Sequence, residues 1–356
     1  MTMVTIIIPT FNRPRFLHRI LDYYNKYGND FKIILADSSS DENKKNNAEI
    51  ISSFSGLDIL YINKYPSNIN PWHKFADVIN YVKTKYSVFC ADDDFIIPKG
   101  IKESVDFFEE NPDFTVVHGR YFSFYLKTKR KVEFYWKPIY PSQSIIFSDA
   151  KNRLVEYLSN YSIPTIYGVH RTDFFKMIFQ ESLKFTNDVR FGELLLSMLT
   201  LIYGKMKCLD ILYSGREIIF NDSGATFKNI NDFIKDGSYE EKYNRFRDCL
   251  AIHLSKNSQL GIEESKKVIY NAMCIYLKKN YPNDYKHFLK AKMKSILDYL
   301  PGGLSKKIKS FYLEKKLIFS KKTANFLNLD NPSSKYYDDF NKIRDCVMSH
   351  TEVYEK

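Results

Sequence analysis

The sequence predicts an α/β protein with a mostly parallel sheet and helices on both of its faces. Strand-like and helix-like patterns alternate four times between Val4 and Ala91, the order that builds βαβ units. The strands read as continuous apolar runs, as expected of strands buried on both faces. Polar clusters follow the carboxyl ends of three of them, where open α/β sheets hold ligands.

Val4 to Ile8 is a β-branched run closed by Pro9 and is the first expected strand. Residues 14 to 27 follow with Phe16, Leu17, Ile20, Leu21 and Tyr24 at helical spacing. A strand from Phe31 to Ala36 stops at Asp37-Ser38-Ser39-Ser40-Asp41, and a polar helix over 42–54 comes next. Asp58 to Ile62 is a third strand, 71–84 a helix, and Tyr86 to Ala91 a fourth strand running into Asp92-Asp93-Asp94. Beyond it we expect a helix from Pro98 to about Asn111, a strand over 114–118, and a hairpin over 120–137 around Lys127 to Arg130. A helix over 149–160, a strand over 163–169, an apolar helix over 189–203 and a strand pair over 206–220 follow. From residue 231 the chain reads as helical, with breaks near Gly261, Pro282, Pro301 and Pro332. The expected division is a catalytic domain over 1–228 and a basic helical region over 229–356.

Composition narrows the class. Hydrophobic residues at 44% and charged residues at 27% are those of a globular chain and exclude a disordered one. Aromatics reach 16%, which suits sugar stacking but first of all fills cores. Cys90, Cys208, Cys249, Cys274 and Cys346 are odd in number and lack CxxC spacing, so neither a disulfide framework nor a zinc site is expected. The seven His form no ligand cluster in the sequence, and His118 and His170 read as core or strand-edge residues. No apolar stretch approaches the ~18 residues of a membrane span, and the N-terminal run is too short for a signal sequence. A cytoplasmic protein is expected.

The acidic triplet is the strongest chemical signal. Three adjacent carboxylates repel one another unless a cation offsets them. Mg²⁺ or Mn²⁺ prefers oxygen donors and commonly takes one or two carboxylates with phosphate oxygens. A solvated acidic turn is the plain alternative, but the position at the carboxyl edge of a sheet favours function.

Pro9-Thr10-Phe11-Asn12-Arg13 after a strand, then Asp37 to Asp41, then Ala91-Asp92-Asp93-Asp94, resembles the family 2 glycosyltransferases of GT-A (Rossmann-like) fold. The resemblance covers roughly residues 3 to 225. It implies a nucleotide pocket lined by Pro9, Thr10 and Arg13, with Asp37 on the base, typically uracil. It implies Asp92 on the ribose or metal and Asp94 on the metal that bridges the diphosphate, with Asp93 among the nucleotide-sugar contacts. Lys74, in Asn70 to Lys74, stands where a further phosphate contact is placed. Asp-Ser-Ser-Ser-Asp departs from members carrying a second acid and a Gly in that stretch. No Gln-x-x-Arg-Trp stretch is present, which favours single transfer over processive synthesis. An inverting member needs a base for the acceptor hydroxyl, and the resemblance places it in Thr186 to Glu193. Asp188 is the first choice and Glu193 the second, although Asp188 also suits the N-cap of the following helix. Arg216 and Ser223 stand where phosphate or acceptor contacts could be made, with an Arg216-Glu217 surface ion pair as the alternative.

The implied activity is transfer of one sugar from a UDP-sugar to a glycan or lipid-linked acceptor, in polysaccharide biosynthesis, with Mn²⁺ or Mg²⁺. The net charge of +11 lies mainly after residue 230, where 24 Lys and Arg meet 16 Asp and Glu. Residues 286–322 hold 11 Lys and two acids with apolar residues interleaved. That pattern suits either peripheral contact with an anionic membrane or a packed helix with a solvated lysine face. The alternatives are a sugar-phosphate nucleotidyltransferase, which would carry a Gly-rich loop after the first strand, and a non-enzymatic basic binding protein. No nucleic acid partner is expected, since uncompensated acids at the sheet edge would repel phosphates.

Overall fold

The computed structural model describes residues 3–127, 132–139, 143–219, 230–281 and 327–354. Its first part follows the expected alternation: β1 (Val4–Thr10), α1 (Pro14–Tyr27), β2 (Lys32–Asp37), α2 (Asp41–Ser52), β3 (Asp58–Ile62), α3 (Pro71–Val78) and β4 (Tyr86–Phe89). A two-residue strand, β5 (Phe95–Ile96), and α4 (Pro98–Glu110) lead to β6 (Phe114–Lys127) and β7 (Glu133–Pro138). Then come α5 (Ala150–Ser159), β8 (Val169–Arg171), α6 (Thr172–Phe185), α7 (Val189–Tyr203) and β9 (Lys205–Glu217). Helices α8 (Ile230–Lys235), α9 (Tyr239–Lys256), α10 (Ile262–Asn280) and α11 (Tyr337–Ser349) complete the described chain.

One sheet of nine strands runs β3-β2-β1-β4-β8-β6-β9-β5, with β7 paired to β6. The first four are parallel neighbours, and β8 lies antiparallel between β4 and β6. Residues on β1 divide by the period of two, Ile7 facing one core and Val4, Ile6 and Ile8 the other. Helices α3, α5, α6, α7, α9 and α10 cover the first face. On the second, α1 buries Leu17, Ile20 and Leu21, and α4 buries Ile101, Val105 and Phe108. Helix α11 joins that second core through Phe340, Ile343 and Val347, so the end of the chain packs against its beginning.

Three expectations are corrected. The strand over 163–169 is a short 3₁₀ turn at Thr165–Tyr167 followed by β8. The strand pair over 206–220 is one strand, β9, lying parallel to β6 across three register shifts. Helix α6 was not anticipated; its aromatic-rich run Thr172–Phe185 buries Phe175, Ile178 and Phe179. The tip of the hairpin at 128–131, the boundary at 228–229, Ser223 and the basic stretch 286–322 lie outside the described residues. No helix among the described residues is long and apolar enough to cross a membrane.

Candidate active site

The carboxyl ends of β1, β2 and β4 do converge, and local hydrogen bonds show why. Asn12 adopts φ +55°, a left-handed conformation that Asn tolerates better than most residues. The turn aims the Asn12 Oδ1 at the Ser40 amide, 2.8 Å away, while the Asn12 amide donates to Ser39 Oγ at 2.8 Å. The loop after β1 is thereby tied to the loop after β2. Pro14 opens α1 directly behind it, where a missing N–H costs nothing.

Asp37 is fully buried. Its carboxylate accepts from the Ser39 amide (2.7 Å), Asn47 Nδ2 (2.8 Å) and Tyr61 Oη (2.6 Å). Asp37 thus sits beneath the loop and holds the Ser39 amide, while its neighbour Ser38 lines the pocket. Lys74 reaches the same place from α3, donating to the Thr10 carbonyl (3.1 Å) and Ser38 Oγ (2.8 Å). Burial pulls its pKa down to about 8 against the pull of Asp92 and Asp37.

In the triplet, Asp92 accepts from Thr10 Oγ1 at 2.7 Å and Arg13 Nη1 at 3.1 Å, and Asp93 from the same Arg13 nitrogen at 2.8 Å. Asp94 accepts from Arg216 Nε at 3.0 Å and the Glu217 amide at 2.9 Å. Behind them Arg19, with no exposed surface, donates to the Asp93 carbonyl at 3.0 Å and to Glu217 Oε2 at 2.7 Å. The Arg216-Glu217 surface pair is thus corrected: one residue holds Asp94 and the other forms a buried pair with Arg19. Burial pushes the Asp92 and Asp94 carboxyls up from the usual range, only partly countered by Arg13 and Arg216. Arg216 also lies 4.2 Å above the Tyr167 ring, a cation–π contact that fixes its plane.

The two candidate bases separate. Asp188 Oδ1 accepts from the amides of Arg190 (2.9 Å) and Phe191 (3.0 Å), making it the N-cap of α7. Glu193, one turn later, lines the pocket; burial raises its pKa, opposed by Arg190 and Arg216. Of the two, Glu193 lines the pocket, whereas Asp188 caps the helix that carries it.

These groups enclose a pocket of about 540 Å³ lined by Pro9, Thr10, Arg13, Ser38, Lys74, Asp92, Asp93, Asp94, Tyr167, Arg190, Glu193, Arg216 and Glu217, among others. Its size is that of a small-molecule site. A second cavity beside His118 and Tyr121 is about 30 Å³, room for a water and little more. Charged groups on the large pocket are four cations and five acids, so an added diphosphate would stand against a negative excess. Its ionisable donors are carboxylates without His or Cys, which suits a hard cation such as Mg²⁺ or Mn²⁺. Burial disfavours the charged forms of Asp92 and Asp94, a cost that a bound divalent cation would offset, so the residues fit such an ion. Tyr167 and Arg19 were not singled out in the sequence; nothing in their local pattern marks them.

Residues 5–178 match the model of the family described as Glycosyl transferase family 2. No curated protein matches in sequence. Among solved structures, S. aureus TarS 1-349 in complex with UDP-GlcNAc superposes with a TM-score of 0.55 at 13% identity, covering 80% of this chain and 75% of that one. The same TarS fragment, described without ligand, gives a TM-score of 0.52 at 14% identity, covering 80% and 74%. At such identity the likeness is one of fold.

Proposed function

From the premise that this chain is a glycosyltransferase carrying a family 2 domain at residues 5–178, we propose that it moves one sugar from a UDP-sugar to a hydroxyl of a glycan or lipid-linked acceptor, with inversion. The observation that supports this reading is the single pocket joining the β1 and β4 loop ends to Glu193 and Arg216. TarS, which shares the fold, is described with UDP-GlcNAc and with UDP. The nucleotidyltransferase and non-enzymatic readings are set aside, because the matched family is a transferase of sugars.

In the proposed mechanism the nucleotide lies over Pro9, Thr10 and Ser38, with Arg13 and Lys74 beside its phosphates. Asp92 and Asp94 would hold Mg²⁺ or Mn²⁺, which would neutralise the leaving diphosphate. Arg216 can donate to a phosphate oxygen with the guanidinium nitrogens that Asp94 does not use. Glu193 takes the proton of the acceptor hydroxyl as that oxygen attacks the anomeric carbon and the bond to the diphosphate breaks. A carboxylate with a raised pKa is suited to that task near neutral pH. Arg190, 3.4 Å from Glu193, keeps enough of it ionised to accept a proton. Tyr167 offers an aromatic edge to the sugar. The basic stretch 286–322 would bring the enzyme to an anionic membrane holding a lipid-linked acceptor.

Thermal melting with UDP and Mn²⁺ tests the binding half of this reading. A rise in Tm is expected, absent without metal and absent in Asp94→Ala. No rise with any nucleoside diphosphate would refute it.

A further inference from the structure

Far along the chain from one another, His18 and Asp22 on α1 and Cys346 and His350 at the end of α11 form two pairs at i,i+4 spacing. That spacing puts each pair on one helix face. Packing of α11 on α1 sets the two pairs together. The rings of His18 and His350 have centroids 5.3 Å apart, and His350 Nε2 lies 3.7 Å from Asp22 Oδ2. Donor atoms of Asp22, Cys346 and His350 lie within 4.8 Å of one another, as do those of His18, His350 and Glu352.

The tautomer of His350 adds to this. Its Nδ1 lies 2.9 Å from the Cys346 carbonyl, an acceptor only, so that nitrogen carries the proton. In the neutral ring, Nε2 then presents a lone pair on the side of the Asp22 carboxylate. A lone pair facing a carboxylate is unfavourable unless a cation stands between them. Metal-bound His residues commonly donate the other ring N–H to a backbone carbonyl in this way. Lys26 Nζ, 2.7 Å from Asp22 Oδ2, is half exposed and can turn to solvent. A proton on Nε2 would satisfy Asp22 alone, whereas the cluster also gathers His18, Cys346 and Glu352.

We propose that the triad of Asp22, Cys346 and His350 is a structural site for a Zn²⁺-class ion, with His18 and Glu352 beside the shared His350. The mixed nitrogen, sulfur and oxygen set is that of tetrahedral zinc. It differs in kind from the all-carboxylate triplet, so the two sites would select different ions. Burial pushes the Cys346 thiol up to about 12, and its Sγ donates to the Arg19 carbonyl at 3.6 Å. On binding, the metal displaces that proton to solvent and takes the thiolate. The ion would fasten α11 to α1 one residue from Arg19, which holds the Asp93 carbonyl from behind. The site is independent of the sugar-transfer reading.

The test uses the full chain, stripped with chelator and dialysed against Zn²⁺ without nucleotide. About one Zn²⁺ per chain is expected to be retained with a rise in Tm, and Co²⁺ is expected to give tetrahedral absorption with a thiolate charge-transfer band. His350→Ala and Asp22→Ala are each expected to weaken Zn²⁺ binding by at least ~10-fold, while Asp94→Ala retains it. Asp22 is less deeply buried than His350, so its variant keeps the test open if His350→Ala does not fold. No retained Zn²⁺, or equal retention in Asp22→Ala, would overturn the site. Absence of the thiolate band would overturn Cys346 as a ligand.

Discussion

Replacing Glu193 by Gln and, separately, Asp188 by Ala distinguishes catalysis from helix capping at the start of α7. Glu193→Gln keeps the shape of the side chain but cannot take a proton. Loss of a general base lowers rate by ~10²–10⁴, or about 3–5 kcal/mol on the barrier. Because the nucleotide is placed at the other end of the pocket, its affinity should change less than about twofold, a shift under ~0.5 kcal/mol. Asp188→Ala removes both hydrogen bonds to the Arg190 and Phe191 amides. The loss of such a cap costs ~1 kcal/mol, within a range of about 0.5–2, or at most a few degrees in Tm for a chain of this length. Some loss of kcat is expected with it, since the cap positions the turn that carries Glu193, but it should stay below ~10-fold. The assays are steady-state sugar transfer, nucleotide titration and thermal melting on the same preparations. Near-normal transfer by Glu193→Gln, with Asp188→Asn inactive at unchanged Tm, would refute the assignment and restore Asp188 as the base.

Three other perturbations follow from the geometry. Arg19→Met leaves Glu217 buried without its cation and frees the Asp93 carbonyl, so chemical denaturation should show a loss of ~3–5 kcal/mol; an unchanged midpoint would contradict the buried pair. Gly192→Ala places a Cβ 2.5 Å from Trp72 Cε2. Overpacking of ~1–3 kcal/mol should outweigh a helix gain of at most ~1 kcal/mol, so Tm falls and transfer falls with it; a stabilised variant would show that Trp72 can yield. For pH, Asp92 and Asp94 have folded pKa values raised above their unfolded ones. The free protein therefore holds extra protons, and the stability they contribute is lost as pH rises from the usual carboxylate range toward neutral. A cation displaces those protons, so calorimetric binding of UDP with Mn²⁺ should strengthen toward neutral pH and weaken above about 8 as Lys74 loses its charge. Binding independent of pH would contradict the role of these groups.

The parallel half of the sheet was legible because its strands are buried on both faces and its helices keep strict periodicity, as β1 and α1 show. The second half was harder. Three-residue β8 is too short for a periodic signal, and the long strand β9 changes register at bulges that break its pattern. Helix α6 does keep a helical spacing, burying Thr172, Phe175, Ile178, Phe179 and Ser182, and was passed over despite it. In the site, the triplet and the Thr10–Arg13 turn were found because they follow strands directly. Asp37 was assigned to the base by its position after β2; its bonds to Asn47 and Tyr61 come from residues 10 and 24 positions on, which its own motif does not reveal. Arg19 was passed over, and Arg216 was named without its partner, because a buried cation is recognised by its acid, and these acids lie 198 and 122 residues away. The His18–His350 cluster was excluded on sequence for the same reason: the ligand pairs are separated by more than 300 residues.

Release of nucleoside diphosphate from a panel of nucleotide-sugars, with Mn²⁺ or Mg²⁺ and without, tests the central claim most directly. The account predicts release from a UDP-sugar that requires metal, is lost in Asp94→Ala and is strongly reduced in Glu193→Gln when an acceptor is supplied. Release that proceeds undiminished in chelator and in Asp94→Ala, or no release from any donor of the panel, would contradict it.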